Sequence, residues 1–224
     1  MEKSMKIQHI SDTHGHHLDV EIDYDCNILI HSGDESNSFD LINNQKEFDS
    51  FYEWWADIPI VNKILIAGNH STALTKQYNK DKIRECCVYL EHDYATVEGL
   101  TIFGSPYTPT YGGWNFMKSP TTIGRIWEHL ENIDILITHG PPKGILDLAY
   151  HGRYIEHCGD SALLKKILKI TPKLHCFGHI HDNYDNINNG LLKHQNIVFS
   201  NGVMVKDGEM KKLKYTKGNI INVR

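Results

Sequence analysis

No stretch of this chain is apolar for long enough to span a membrane, and residues 1–6 are polar where a secretory leader would turn apolar. A membrane-embedded or exported protein is therefore not expected, and the sequence reads as cytoplasmic. Cysteine is sparse: five residues at scattered positions, with Cys86 and Cys87 adjacent, exclude a disulfide scaffold and suit reduced thiols. Neither sign of charge dominates. A formal net charge of -5 and a pI near 6.3 leave no basic footprint for extended duplex nucleic acid. Internal repeats, low-complexity tracts and linkers are lacking too. What remains is 224 residues, 40% hydrophobic and 23% charged, enough for a single domain over 1–224 with a substantial core.

Histidine is what the chain has in excess, 15 residues, several beside Gly, Asp or Asn in short turns. Those turns follow a pattern. Short aliphatic or β-branched runs recur at 6–10, 27–30, 63–66, 100–103, 133–137, 174–177 and 197–199, each followed by a polar, glycine-containing turn, and they read as buried strands. Helix-period segments lie between several of them. One covers 39–56, with Phe39, Ile42, Phe48, Phe51, Trp54 and Trp55 broadly on one side. A second covers 122–130, carrying Ile123, Ile126, Trp127 and Leu130. A third starts from an N-cap at Asp160 or Ser161, buries Leu163, Leu164, Ile167 and Leu168, and stops at Thr171-Pro172. The alternation predicts an α/β layered fold. A turn at Asp207-Gly208 between 197–199 and 213–215 predicts an antiparallel hairpin at the end.

In open α/β sheets, ligands gather on the loops leaving the C-terminal ends of strands. Here those loops read Ser11-Asp12-Thr13-His14, Gly33-Asp34, Gly68-Asn69-His70, Thr138-His139-Gly140 and Gly178-His179-Ile180-His181. Each offers an oxygen or imidazole donor and none a thiolate. That mix suits a borderline first-row metal such as Mn, Fe, Co, Ni or Zn, and argues against a cysteine zinc site or an all-oxygen calcium cage. Singly the fragments are weak signals, since an Asp-x-His pair is a structural or surface accident about nine times in ten. As an ordered set, each following its own strand, they reduce that accident to a small residue.

The order Asp-x-His, Gly-Asp, Gly-Asn-His, a His beside Gly, then Gly-His-x-His resembles the calcineurin-like metallophosphoesterase superfamily. The likeness is closest to the small metallophosphoesterase-domain proteins with class III cyclic-nucleotide phosphodiesterase activity, and runs through 7–15, 66–70, 102–109, 114–116, 135–144, 177–182 and Asn201. It implies two facing mixed β-sheets flanked by helices, a four-layer αββα sandwich. It implies further that Asp12, His14 and His181 hold one divalent ion, that Asn69, His139 and His179 hold another, and that Asp34 bridges them. A hydroxide shared by the two ions would attack the phosphorus in line, with Mn the expected metal in vitro and Fe, Zn, Ni or Co as alternatives. Two such ions bring a formal charge of about +4, and with only Asp12 and Asp34 anionic the site keeps a positive surplus for phosphate. His70 is the expected catalytic group, stabilising developing charge or protonating the leaving oxygen. Family members usually carry an acidic residue next, where this chain has Ser71, which leaves the orientation of His70 open.

The segment Gly104-Ser105-Pro106-Tyr107-Thr108-Pro109, followed by Tyr111, Trp114 and Phe116, supplies rings that either stack on a nucleobase or cover the edge of the core. Tyr107, Trp114 and Asn201 are the expected substrate contacts, and Pro141-Pro142 the expected stiffener of the His139 loop. His9, His31, His92, His129 and His194 read as hydrogen-bonded structural or surface groups; His16 and His17 stay open. The favoured function is a phosphodiesterase acting on a small phosphodiester, a cyclic or short nucleotide. A nuclease or nucleic-acid end-processing phosphatase of the same superfamily is disfavoured by the acidic balance, and a non-catalytic binding scaffold by the complete set of seven ligand positions.

Overall fold

The computed structural model describes residues 4–183 and 186–223; the first three residues of the polar opening stretch lie outside them. Strands β1 (Met5–Ile10), β2 (Ile28–His31), β3 (Lys63–Ile66) and β4 (Val88–Leu90) run parallel. A hairpin of β5 (Asp93–Val97) and β6 (Leu100–Ser105) begins a second sheet, and the short β7 (Thr108–Pro109) and β8 (Met117–Lys118) pair only with each other. β9 (Ile135–Thr138) follows, then a separate hairpin of β10 (Leu148–Tyr150) and β11 (Ile155–His157), then β12 (Leu174–Phe177). β13 (Gly190–His194) and β14 (Ile197–Asn201) form another hairpin, and β15 (Asn219–Val223) returns to pair antiparallel with β1. The sheet orders are β15-β1-β2-β3-β4 and β13-β14-β12-β9-β6-β5. Among the described residues four α-helices connect them: α1 (Leu41–Asp57), α2 (Gln77–Arg84), α3 (Pro120–Ile126) and α4 (Ser161–Ile170).

The layers follow from strand alternation. Ile7, Ile28, Ile30, Ile64 and Ile66 of the first sheet pack into one cluster with Ile102, Ile135, Ile137 and Leu174 of the second, so the two sheets face each other. The alternate residues Ile10, Leu29 and Leu65 point the opposite way, onto Phe48, Phe51 and Trp55 of α1. On the far side Phe103, Leu136, Phe177 and Phe199 cover α3 and α4 through Ile123, Leu163 and Ile167. Strands apolar on both faces are what a buried parallel sheet requires, and the result is the expected αββα sandwich. No helix among the described residues is long and apolar enough to cross a membrane.

Several local expectations are corrected. In α1, Asp40 caps the first turn by accepting from Asn43 N, and at the far end the buried Lys63 ammonium donates to the carbonyls of Trp55 and Ile58. Phe39 and Ile42 are nevertheless 60% and 73% exposed. Phe39 precedes the cap and so escapes the helical period, and Ile42 lies about 150° round the helix from the Phe48–Trp55 stripe. Leu168 likewise sits at the rim of α4, 37% exposed. α3 ends at Ile126 instead of continuing to 130: Ser119 and Pro120 start it early, and i→i−3 bonds from Glu128 and Leu130 tighten its end. The expected hairpin between 197–199 and 213–215 does not form. β14 pairs instead with β13, while Lys214 N and Tyr215 N both donate to Met204 O and their side chains bond Asp182.

Candidate metal centre

Because β1, β2, β3, β9 and β12 all run parallel within two facing sheets, the five motif loops leave from the same edge of the sandwich. Backbone bonds stitch them together. Asp12 N donates to Gly33 O at 2.9 Å, His14 N to Asp34 O at 3.1 Å and Gly178 N to His139 O at 2.9 Å. The sheets are joined by Ser11 N to Gly202 O at 2.8 Å and by His179 N to the Asp12 carboxylate at 2.9 Å. Four candidate ligands adopt the left-handed backbone that side chains avoid: Asp12 (φ 53), His14 (φ 44), Asp34 (φ 57) and His179 (φ 71). Strain gathered at one cluster marks a constraint imposed by the site. Gly68 and Gly178 are required by close approach, since a methyl at Gly68 would overlap Asp34 Oδ1 and one at Gly178 would overlap Asp12 Oδ2.

The side chains converge in two triads, Asp12 with His14 and His181, and Asp34 with His139 and His179, the donor atoms of each within 4.8 Å of one another. Asp34 also groups with His14 and His70, so its carboxylate belongs to both halves. His181 Nε2 lies 3.1 Å from Asp12 Oδ1 and 3.2 Å from His14 Nε2. His139 Nε2 lies 2.9 Å from Asn69 Oδ1 and 3.2 Å from Asp34 Oδ2. The far ring nitrogens are anchored: His139 Nδ1 donates to Ser32 O at 2.9 Å, and His181 Nδ1 meets Asp207 Oδ1 at 2.9 Å. Such outer partners fix ring orientation and raise ligand basicity. The donors fit divalent cations. Two imidazole nitrogens facing each other at 3.2 Å share one proton in the metal-free protein, and a cation that displaced it would find both lone pairs available.

The electrostatics agree. Burial opposes the charge on Asp12, yet the His14 and His181 rings hold its carboxyl well below the usual range. Asp34 is lowered likewise, burial being outweighed by His139 and His70. Burial alone would lower His139 and His181, but Asp34 pushes the first up to about 9, and Asp12 with Asp207 pushes the second up to about 10. His179 falls to about 3 through burial. Without a metal the charge balance of the pocket is thus kept by protons on histidine, which cations displace on binding.

Ser71, where the resemblance led us to expect an acid, is met by one from the neighbouring loop. Its hydroxyl donates to the buried Glu35 carboxyl at 2.5 Å and accepts from Gly68 N at 2.8 Å, pinning the Gly68-Asn69-His70 turn. Burial, with Asp34 close by, pushes Glu35 from 4.5 up to about 7. A raised acid favours the protonated form in the folded state. In metal-free protein this group therefore costs nothing below the unfolded value of about 4.5, and stability is lost as pH rises through about 7. Glu35→Gln is expected to stabilise metal-free protein at pH 8 by on the order of 1–3 kcal/mol, with the gain vanishing near pH 5. Thermal melts of both proteins at the two pH values check it.

A cavity of about 640 Å³ opens over the cluster, lined by Asp34, Asn69, His70 and His179. A roomier hollow of about 800 Å³ beside α4 holds none of the candidate ligands. Trp114 lies against His70, ring centroids 4.2 Å apart, with Phe39 edge-on to it at 5.2 Å. Tyr107 is packed elsewhere, near His92 and Phe116 and beneath the Lys118 ammonium, and is not among the cavity-lining residues. Asn201 is buried; its amide donates to Leu146 O and Ile180 O, bracing two loops around the site. Tyr111 is the ring that lines the cavity, 5.4 Å from His179, with Pro141 nearby on the wall. Of the set-aside histidines, His9 and His31 are fully buried, as is His175; each is bonded to Ser or Thr hydroxyls and held neutral by burial at about 3. His16 bonds Met210 O and His17 bonds Ser50, and neither joins the ligand groups. Asp207 and the β10–β11 hairpin were not anticipated from sequence.

Residues 5–183 match the family model described as calcineurin-like phosphoesterase. The chain is 31% identical over 214 residues to human metallophosphoesterase domain-containing protein 1, the match covering 84% of this chain and 64% of that protein, so the chain spans a little under two thirds of that relative's length. A UPF0046 protein of Caenorhabditis elegans is 30% identical over 220 residues, covering 91% of this chain and 71% of its own length. Among solved structures, a Thermus thermophilus protein superimposes with a TM-score of 0.60 at 12% identity, covering 99% of this chain and 100% of that chain, which is a likeness of fold.

Proposed function

Because this chain belongs to the calcineurin-like phosphoesterase family, we propose that it is a phosphodiesterase dependent on two divalent cations, hydrolysing a small phosphodiester such as a cyclic or short nucleotide. The observation that carries this reading is the position of Asp34, whose carboxylate groups with His14 on one side and with His139 and His179 on the other. Asp12, His14 and His181 would hold one cation, Asn69, His139 and His179 the second, and Asp34 both. Two divalent ions, when bound, supply an activated water and charge compensation for the phosphoryl oxygens. The remaining work falls to the chain itself. His70 has its Nδ1 tied to Asn37 O at 2.8 Å, which leaves Nε2 as the nitrogen that can hand a proton to the leaving oxygen. Its backbone N–H, donating to Asp34 Oδ1 at 2.7 Å, keeps that carboxylate oriented. Tyr111 on the cavity wall offers a stacking face for a base.

The cavity volume of about 640 Å³ suits one small ligand rather than a strand. Five free cysteines accord with a reducing, cytoplasmic setting. The test is turnover by metal-stripped protein before and after Mn²⁺ is added. Mn²⁺ is expected to restore hydrolysis of bis-p-nitrophenyl phosphate and of cyclic nucleotides, with p-nitrophenyl phosphate turned over more slowly. No hydrolysis of any of these in excess Mn²⁺ would turn the reading to a binding scaffold. Preference for long single strands, falling steeply with salt, would turn it to a nuclease.

A further inference from the structure

A second group of donors sits on the same cavity, away from the loops just described. β10 and β11 are joined by the tight turn His151-Gly152-Arg153-Tyr154, closed by His151 N to Tyr154 O at 2.9 Å, with Gly152 at φ 80. The register pairs Ala149 with Glu156, and Cys158 N donates to Asp147 O one step further on. Strand alternation therefore puts Ala149, His151, Glu156 and Cys158 on one face, and all four line the cavity. His151 Nε2 lies 3.3 Å from Glu156 Oε1 and 3.4 Å from Cys158 Sγ, and the three donor atoms fall within 4.8 Å of one another. Ala149, between them, leaves room.

We propose that His151, Glu156 and Cys158 form a third cation site, selective for a zinc-like borderline ion, whose remaining coordination position faces the cavity. Tetrahedral binding with metal–nitrogen and metal–oxygen bonds of about 2.0 Å and a metal–sulfur bond of about 2.3 Å sets donor atoms about 3.3–3.6 Å apart, the spacing that His151 Nε2 has from both Glu156 Oε1 and Cys158 Sγ. Imidazole, carboxylate and thiolate together neutralise a divalent charge and select Zn²⁺ over Mn²⁺, because sulfur is a soft donor. An ion pair between His151 and Glu156 alone, at half-exposed positions, contributes little and gives no reason for a thiol beside it. Three protein donors and one open position make a site able to take an anionic group of whatever occupies the cavity.

The candidate ligands around Asp34 contain no sulfur, so thiolate-to-cobalt charge transfer in the near ultraviolet that depends on Cys158 reports the third cation site. Full-length protein titrated with Co²⁺ is expected to develop that absorption. Cys158→Ser should abolish it, His151→Ala should weaken the Co²⁺ affinity read from it by at least about tenfold, and Asp34→Ala should leave it in place. A wild-type protein without the band at saturating Co²⁺, or a band that survives Cys158→Ser, overturns the proposal. Neither result bears on the Asp34 site, which is read separately through Mn²⁺-dependent hydrolysis. Circular dichroism confirms that each variant is folded.

Discussion

Asp34→Ala is expected to lower kcat/KM for a phosphodiester by about 10³-fold or more, at least about 4 kcal/mol of transition-state stabilisation, and to reduce the bound manganese to one equivalent or fewer. The size follows from where the carboxylate sits. It groups with His14 on one side and with His139 and His179 on the other, so one substitution withdraws a donor from both halves of the site. It also removes one of only two anions among the seven candidate ligands, leaving Asp12 to offset two divalent charges. The substitution also removes the acceptor of the His70 N–H, loosening the turn that carries Asn69 and His70. Asp34→Asn separates these effects: it keeps the size and one oxygen donor but loses the charge. Its activity should fall between wild type and Asp34→Ala. Steady-state kinetics in Mn²⁺, with metal content by elemental analysis, make the measurement, and undiminished turnover by Asp34→Ala would remove the two-cation mechanism.

The strands that carry the site were legible because each is short, aliphatic and stopped by a glycine-containing turn, and the candidate ligands follow those stops in order. The elements not read from the sequence lack such marks. α2, Gln77–Arg84, has one buried apolar residue, Ile83, and no amphipathic stripe to announce it. β15 pairs with β1 across nearly the whole length of the chain, a partnership no local pattern encodes. Asp207 read as a turn residue, and its contact with His181 Nδ1 depends on how 203–210 folds back over the ligand loop. No pattern in the sequence marks Glu35, beside Asp34, as a buried group. Only the approach of Ser71 from the next loop shows that the acid missing at one position is supplied at another, buried and hydrogen-bonded. Tyr107 and Tyr111 are four residues apart in one aromatic segment, yet the first packs beside His92 and the second lines the cavity. Sequence located the ring-rich segment; tertiary packing chose the ring.

His70→Ala is expected to cut kcat on a cyclic nucleotide by about 10²–10⁴-fold while both cations remain bound. The metal should stay because the variant keeps the backbone N–H that holds Asp34 Oδ1, and because the His70 ring is already committed through Nδ1 to Asn37 O. The competing possibility is concrete, since the donor atoms of His14, Asp34 and His70 also lie within 4.8 Å of one another. If the ring were a ligand, the variant would lose metal in step with activity, and added Mn²⁺ would restore part of the rate. Leaving-group chemistry then distinguishes the two roles open to His70. A nitrophenolate departs readily as an anion and gains little from a proton donor, whereas a ribose alkoxide must be protonated as it leaves. As a general acid, His70 should therefore matter greatly for the nucleotide and by less than about tenfold for bis-p-nitrophenyl phosphate. As a stabiliser of charge on the phosphoryl oxygens it should matter equally for both, since that charge develops whatever the leaving group. Trp114, 4.2 Å from the ring and tilted 33° to it, loses its partner in the variant, so a Trp114→Ala control measures how much of the loss is mere displacement of the ring. Equal losses on the two esters would assign the electrostatic role, and a loss confined to the nucleotide would assign proton transfer.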